Sequence, residues 1–130
     1  MRALLDTNVL VRHFTGTPTR QARRATRLLA ESEHLELLHL VVAETVYVLK
    51  SVYQLPRDNV AALLRAVIGH PSIEVRDTQV LLRSLALFQV EGLDFVEAYL
   101  VATAEASGIP AVVSFDRAID RVGTVERIEP

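Results

Sequence analysis

The sequence has no cysteine and no tryptophan, and its only lysine is Lys50. The absence of cysteine excludes a disulfide scaffold, a thiolate zinc site and a cysteine nucleophile. No apolar run approaches the ~20 residues that a membrane helix needs, and the first run ends at Asp6, too early for the core of an export signal. We therefore expect a cytoplasmic protein with no membrane partner.

The composition predicts a single folded domain. Half of the 130 residues are hydrophobic, which is too many for a disordered chain, and the length suits one domain over residues 1–130. The 16 acidic and 14 basic residues give a net charge of −2. This charge argues against a protein that binds nucleic acid mainly through an overall positive field.

Short apolar runs alternate with longer segments of helical period. Candidate strands lie at residues 2–5, 35–38, 72–75, 111–114 and 125–128. Helical patterns cover residues 19–33, 40–54, 57–68, 78–91 and 95–107. This alternation is typical of an α/β fold with a central, mostly parallel sheet of four or five strands flanked by helices.

Four acidic residues fall where such a fold binds ligands, beyond the carboxyl ends of its strands. Asp6 follows the first candidate strand and Asp116 the fourth, while Glu44 and Glu97 lie near the starts of helices. Carboxylates brought together repel unless a cation lies among them. Hard oxygen ligands suit Mg²⁺ or Mn²⁺, which activate water for displacement at phosphorus.

Each acid also has an interpretation without a chemical role. Asp6 fits a helix cap, Asp116 a turn residue, and Glu44 a solvated helix residue. Asp94, followed three positions later by Glu97, fits a capping box. The joint placement of the acids, rather than any one of them, favours a metal site.

The motifs around these acids resemble those of the PIN-domain ribonucleases, and within that family the VapC-like toxins of type II toxin–antitoxin pairs. The resemblance runs from Leu4-Leu5-Asp6-Thr7-Asn8 to Val113-Ser114-Phe115-Asp116-Arg117 and so covers nearly the whole chain. It implies a PIN-like three-layer fold. It also implies that four acids bind the metal and carry catalysis, namely Asp6, Glu44, Glu97 and Asp116. Two polar residues, Asn8 and Ser114, would support them.

One position departs from the family pattern. The family usually has an aspartate directly before an alanine, where this sequence has Glu97 before Ala98. Either the longer Glu97 still reaches the ion, or Asp94 one turn earlier contributes as a further metal ligand. This departure favours an alternative function, a catalytically weakened PIN-like module that acts mainly by binding RNA or a protein partner.

The resemblance implies an Mg²⁺- or Mn²⁺-dependent endoribonuclease that cleaves structured RNA such as tRNA or rRNA. It also implies a cognate antitoxin and a homodimer. The apolar stretches within residues 40–68 are a candidate surface for either partner, and they fit a plain hydrophobic core equally well. Arg12 and Arg117 are the better candidates for phosphate contact. A solvated helix face is the favoured interpretation of four further arginines, which are also candidates to bind RNA phosphates or an acidic antitoxin segment: Arg20, Arg23, Arg24 and Arg27. If about four acids belong to a metal site, the remaining surface is richer in arginine than in carboxylate.

Two other α/β classes that handle phosphate are excluded. A receiver domain needs a lysine after a late strand, and Lys50 lies in the middle of a helical segment. A haloacid-dehalogenase-type phosphatase needs a second aspartate two residues after the first, where this chain has Asn8.

Overall fold

The computed structural model describes residues 2–130, which form two compact units, one ending at Arg76 and one spanning Asp77–Pro130. The described residues contain six α-helices and five short strands, and all strand pairs are parallel. The α/β class predicted from the sequence is therefore confirmed. None of the described helices has the length and apolar character needed to cross a membrane.

The first unit is built on a three-stranded sheet. Its strands β1, β2 and β3 lie side by side in that order, with Ala3 opposite Leu35 and Leu35 opposite Ile73. In chain order its elements are β1 (Ala3–Leu4), α1 (Thr7–Thr15), α2 (Thr19–Glu31), β2 (Leu35–Glu36), α3 (His39–Tyr47), a π-helical turn (Val48–Val52), α4 (Arg57–Ile68) and β3 (Ile73–Glu74).

The core of this unit follows the helical spacing of its apolar residues. Val42, Val46 and Leu49 recur along one face of α3 and its π-helical turn, and all three are almost completely buried. Val60 and Leu64 do the same on α4. Burial of each such side chain contributes about 1.5–3 kcal/mol, so this apolar spacing fixes which face of each helix turns inward.

The second unit pairs two helices with a two-stranded sheet. Its elements are α5 (Thr78–Ala86), a π-helical turn (Leu87–Glu91), α6 (Phe95–Ser107), β4 (Ala111–Val113), a 3₁₀ helix (Arg117–Arg121) and β5 (Glu126–Ile128). β4 and β5 are parallel, with Val112 opposite Arg127. Leu85, Phe88, Val101 and Ile119 are fully or almost fully buried and anchor these elements.

Two features differ from the sequence expectation. All five expected strands are present, but their hydrogen bonds form a three-stranded and a two-stranded sheet instead of one sheet. Each strand has only two or three residues, so the ladders are short. The structure also has a helix, α1, directly after Asp6, where the sequence offered a helix cap but no helical pattern was assigned. Gly16 ends α1 in the left-handed conformation (φ 70°), and its N–H donates to the carbonyl of Arg12 at 2.9 Å.

Candidate metal centre

The start of α6 presents two carboxylates on one side. Gly92 has φ 72° and lets the chain turn out of the preceding π-helical turn. Leu93 and Phe95 are buried on either side of the exposed Asp94. Glu97 lies in the first turn of α6, three residues after Asp94, and this spacing places both side chains on the same helix face. The side chain of Asp94 makes no N-cap hydrogen bond to α6, so the Asp94 half of a capping box is not formed in the described part of the chain.

Asp116 is placed by hydrogen bonds on both sides of it. Its backbone N–H donates to the Ser114 hydroxyl at 2.9 Å. Its Oδ1 accepts from the N–H of Ala118 at 2.9 Å, and this bond caps the 3₁₀ helix that Ile119 anchors in the core. The turn after β4 therefore fixes Asp116 without any ligand. The Ser114 side chain contributes directly to that turn.

These three carboxylates form a cluster. One oxygen each from Asp94, Glu97 and Asp116 lies within 4.8 Å of the others, with Asp94 exposed and the other two partly buried. Two unit charges about 4 Å apart repel by about 1 kcal/mol in water and about 4 kcal/mol near a protein surface. A divalent cation among the oxygens would remove this cost. The donor set is purely carboxylate, which fits Mg²⁺ or Mn²⁺.

The nearby acid Asp120 has a different role. Arg127 donates to its two carboxylate oxygens at 2.9 and 3.2 Å, and the same guanidinium donates to the carbonyl of Ser114 at 3.0 Å. The hydrogen bonds from Arg127 hold the pKa of Asp120 below its ordinary value. Arg127 thus ties β5 to the turn that carries Asp116.

The first unit carries Asp6 and the side chains that follow it. Asp6 precedes α1, and its Oδ1 accepts from the N–H of Thr7 at 2.9 Å, so it does cap this helix. The hydroxyl of Thr7 is buried and has no hydrogen-bond partner among the described residues. An unsatisfied buried hydroxyl costs about 1–3 kcal/mol, which a water or another ligand beside Asp6 would recover. From the sequence, Thr7 was a candidate helix cap beside Asp6, and an unsatisfied buried hydroxyl at this position was not predicted.

Glu44 and Asn8 are exposed side chains of the first unit. Glu44 projects from α3 next to the buried Thr45, whose hydroxyl donates to the carbonyl of Val41 at 2.7 Å. Asn8 lies in the first turn of α1. The structure thus brings together three of the predicted metal ligands, Asp94, Glu97 and Asp116. The convergence of Asp6 and Glu44 on the same ion stays a prediction.

Comparison with known proteins gives the family. A model of the PIN domain matches residues 3–125, and the chain belongs to the PIN-domain family, whose members are generally nucleases. The resemblance of the sequence motifs to the PIN-domain family is thereby confirmed.

Among curated proteins none matches the chain. Solved structures that match include the crystal structure of VapBC2 from Rickettsia felis bound to a DNA fragment from their promoter. It is 17% identical over 99% of this chain and 98% of that chain, with a TM-score of 0.38.

Proposed function

We propose that this protein is a metal-dependent endoribonuclease, the toxin of a type II toxin–antitoxin pair, which cleaves structured RNA such as tRNA or rRNA. The observation that carries the proposal is the carboxylate cluster of Asp94, Glu97 and Asp116 at one end of α6. PIN domains are generally nucleases, and this supports a role for the cluster in cleaving a phosphodiester bond. Mg²⁺ is the proposed cofactor, and we expect Mn²⁺ to replace it.

In this proposal five carboxylates hold the cation: Asp6, Glu44, Asp94, Glu97 and Asp116. When bound, the cation lowers the pKa of water and stabilises negative charge on the phosphate oxygens. Ser114 holds the turn of Asp116, and Asn8 supplies a polar side chain two residues after Asp6. One of the carboxylates accepts the proton of the attacking water, so no histidine or cysteine is required.

The proposal includes two protein partners, a second copy of the chain and a cognate antitoxin. The region predicted to bind a partner exposes large apolar side chains, with Leu40 77%, Tyr47 66% and Val52 65% exposed. We assign this region, on α3 and its π-helical turn, to the homodimer. Tyr47→Glu should convert a dimer to a monomer in light scattering, whereas an unchanged mass would refute this assignment.

The test of the proposed activity is cleavage of labelled tRNA and rRNA fragments by the purified protein. We expect cleavage with Mg²⁺ or Mn²⁺, none with EDTA, and a loss of about 100-fold or more in Asp116→Asn, because removal of one catalytic group often costs that much. Asp77→Asn is the matched control. It removes the same charge in the second unit, and asparagine tolerates the left-handed backbone (φ 47°) of that position.

The same assay distinguishes the proposed ribonuclease from the alternative function, a module that only binds RNA or a protein partner. A module that acts only by binding would retain RNA without cutting it at any Mg²⁺ or Mn²⁺ concentration. Cleavage that persists in EDTA, or in Asp116→Asn at the wild-type rate, would refute the metal mechanism.

A further inference from the structure

A cavity of about 360 Å³ lies between α1 and α2 in the first unit. Each helix contributes one amide and, a turn later, one guanidinium. Asn8 and Arg12 come from α1, and Gln21 and Arg24 come from α2. Spacings of three and four residues put each amide and its guanidinium on the same helix face. Two amides and two positive charges therefore face one cavity.

The rest of the cavity wall is apolar. Val9, Ala25 and Leu28 complete the lining, and Leu28 remains 41% exposed. A flat, uncharged ligand surface gains contact area there, at about 25 cal/mol per Å² of apolar surface covered. The cavity thus combines an apolar surface with polar groups that donate and accept hydrogen bonds.

The two helices that form the cavity are held together by their own contacts. Leu10 and Val11 of α1 are buried, as are Ala22 and Leu29 of α2. A hydrogen bond of 2.8 Å also joins Nδ1 of His13 to the Thr26 hydroxyl, across the two helices. The cavity is therefore formed before any ligand arrives.

Its polar side chains are available to a ligand. Over residues 2–130, the structure gives no ion pair or side-chain hydrogen bond to Asn8, Arg12, Gln21 or Arg24. Beside the cavity, an adjoining groove on α2 is lined by further arginines, and Arg24 belongs to both. The surface therefore presents uncompensated positive charge that continues beyond the cavity along the helix.

We propose that this cavity is a nucleotide-binding pocket that holds one unstacked nucleotide of the RNA. The base packs on Val9 and Leu28, the amides of Asn8 and Gln21 bind its edge, and the guanidinium groups bind the flanking phosphates. Proteins read single-stranded RNA in this way, through base edges and base faces together. The inference rests on the proposed ribonuclease function and adds to it a pocket for base recognition.

An acidic peptide is the main competing ligand. Its carboxylates would pair with Arg12 and Arg24 and its backbone would hydrogen-bond to the amides, but acidic side chains offer no flat apolar face to cover Val9 and Leu28. The combination of an apolar wall with flanking guanidinium groups therefore favours a nucleotide.

The test measures binding of fluorescein-labelled single-stranded oligoribonucleotides by anisotropy, in EDTA so that cleavage does not interfere. The pocket variant is Arg12→Gln/Arg24→Gln. The matched control is Arg20→Gln/Arg27→Gln, which removes the same charge from α2 residues that do not line the cavity. We expect the dissociation constant to rise about tenfold or more in the pocket variant and about threefold or less in the control.

Gln21→Ala tests base reading separately from charge. We expect it to reduce the preference among oligomers of A, C, G and U and to leave the salt dependence unchanged. Arg24→Gln should instead weaken the binding of all four oligomers to a similar extent. It should also reduce the magnitude of the slope of log affinity against log salt concentration by about one. Thermal melting by circular dichroism checks that each variant is folded.

Equal losses in the pocket and control variants would overturn the proposal in favour of diffuse charge attraction. Tighter binding of an oligoglutamate peptide than of RNA, lost in the pocket variant, would overturn it in favour of an acidic partner. These results are independent of the metal-dependent assay. Failure of cleavage with pocket-dependent binding intact would refute only the proposed activity.

Discussion

The hydroxyl of Ser114 accepts a hydrogen bond of 2.9 Å from the backbone N–H of Asp116. The serine side chain therefore shapes the turn that carries the carboxylate away from β4. Arg127 adds a second restraint, since its guanidinium donates to the Ser114 carbonyl at 3.0 Å. Asp116 is thus positioned by the chain itself, and Ser114 acts on the proposed metal site through it.

Loss of this hydroxyl should weaken metal binding more than it slows the reaction at saturating metal. A hydrogen bond of this kind contributes about 0.5–1.5 kcal/mol, so Ser114→Ala should raise the Mn²⁺ concentration for half-maximal cleavage by about 2- to 10-fold. Ser114→Thr keeps the hydroxyl and should restore the wild-type value. A Mn²⁺ titration of cleavage measures both variants. A rate reduced equally at every Mn²⁺ concentration would contradict a positioning role.

Repulsion within the carboxylate cluster predicts two opposite effects of Glu97→Gln. Without metal the variant should be more stable than the wild type by about 1 kcal/mol, because one of three mutually repelling charges is gone. With metal at about 100 times its Kd the wild type should gain about 2.7 kcal/mol, and the variant should gain less. Thermal melts with EDTA and with Mn²⁺ measure both effects.

Glu126→Gln provides the control for this prediction, because it removes an exposed charge from β5, outside the cluster. We expect its response to Mn²⁺ to equal that of the wild type. If Glu97→Gln and Glu126→Gln respond identically, Glu97 does not hold the ion.

The sequence predicted the α/β class and the grouping of Glu97 and Asp116, because strand ends and helix starts are readable from local patterns. Asp94 had two interpretations, and only the three-dimensional arrangement groups its carboxylate with those of Glu97 and Asp116. The convergence of Asp6 and Glu44 stays a prediction, because it would depend on packing between distant segments, which no local pattern encodes.

Helix α1 shows why a helix for which the sequence offered only a cap residue, Asp6, was given no predicted bounds. Thr7, Val9, Val11 and Thr15 are β-branched, and such residues have modest helix propensity. The helix is stabilised instead by tertiary contacts, since Leu10 is completely buried. The pairing of Gln21 with α1 residues around one cavity depends on the same packing. The sequence alone therefore gave no reason to single out Gln21.

An ion pair between α5 and α6 should contribute measurably to stability. Arg83 donates to both oxygens of Glu105, at 2.8 and 3.0 Å, and the Thr124 hydroxyl also donates to this carboxylate. The hydrogen bond from Arg83 is the main cause that lowers the pKa of Glu105. Because Arg83 is partly exposed, we expect Glu105→Gln to cost only about 1–2 kcal/mol at neutral pH.

The sign of the pH dependence follows from that lowered pKa. The contribution of Glu105 is fully present above the ordinary carboxyl pKa of 4.5 and is lost as the pH falls through the lower value in the folded state. Urea denaturation should show a difference in the free energy of unfolding between the wild type and Glu105→Gln, and this difference should become smaller in acid. A difference in unfolding free energy that stays constant from neutral pH to about pH 3 would refute a charge-dependent role of Glu105.

A second pH dependence of stability is expected from His13, which lies where α1 meets α2 and α4. His13 lies at a cavity of about 320 Å³ that it shares with Leu63, Val67 and His70. Burial lowers the pKa of His13, and the charge of His70 lowers it further. The folded state therefore binds a proton at His13 less readily than the unfolded chain does.

Stability should consequently fall as the pH drops below the ordinary histidine value of 6.5, where the unfolded state gains the proton first. His13→Gln should flatten this dependence between about pH 7 and pH 5, as measured by urea midpoints. Thr26→Val is the control, because it removes the hydrogen bond to His13 and keeps the imidazole. It should lower stability at each pH and preserve the slope. A slope in His13→Gln as steep as in the wild type would assign the acid sensitivity to another group.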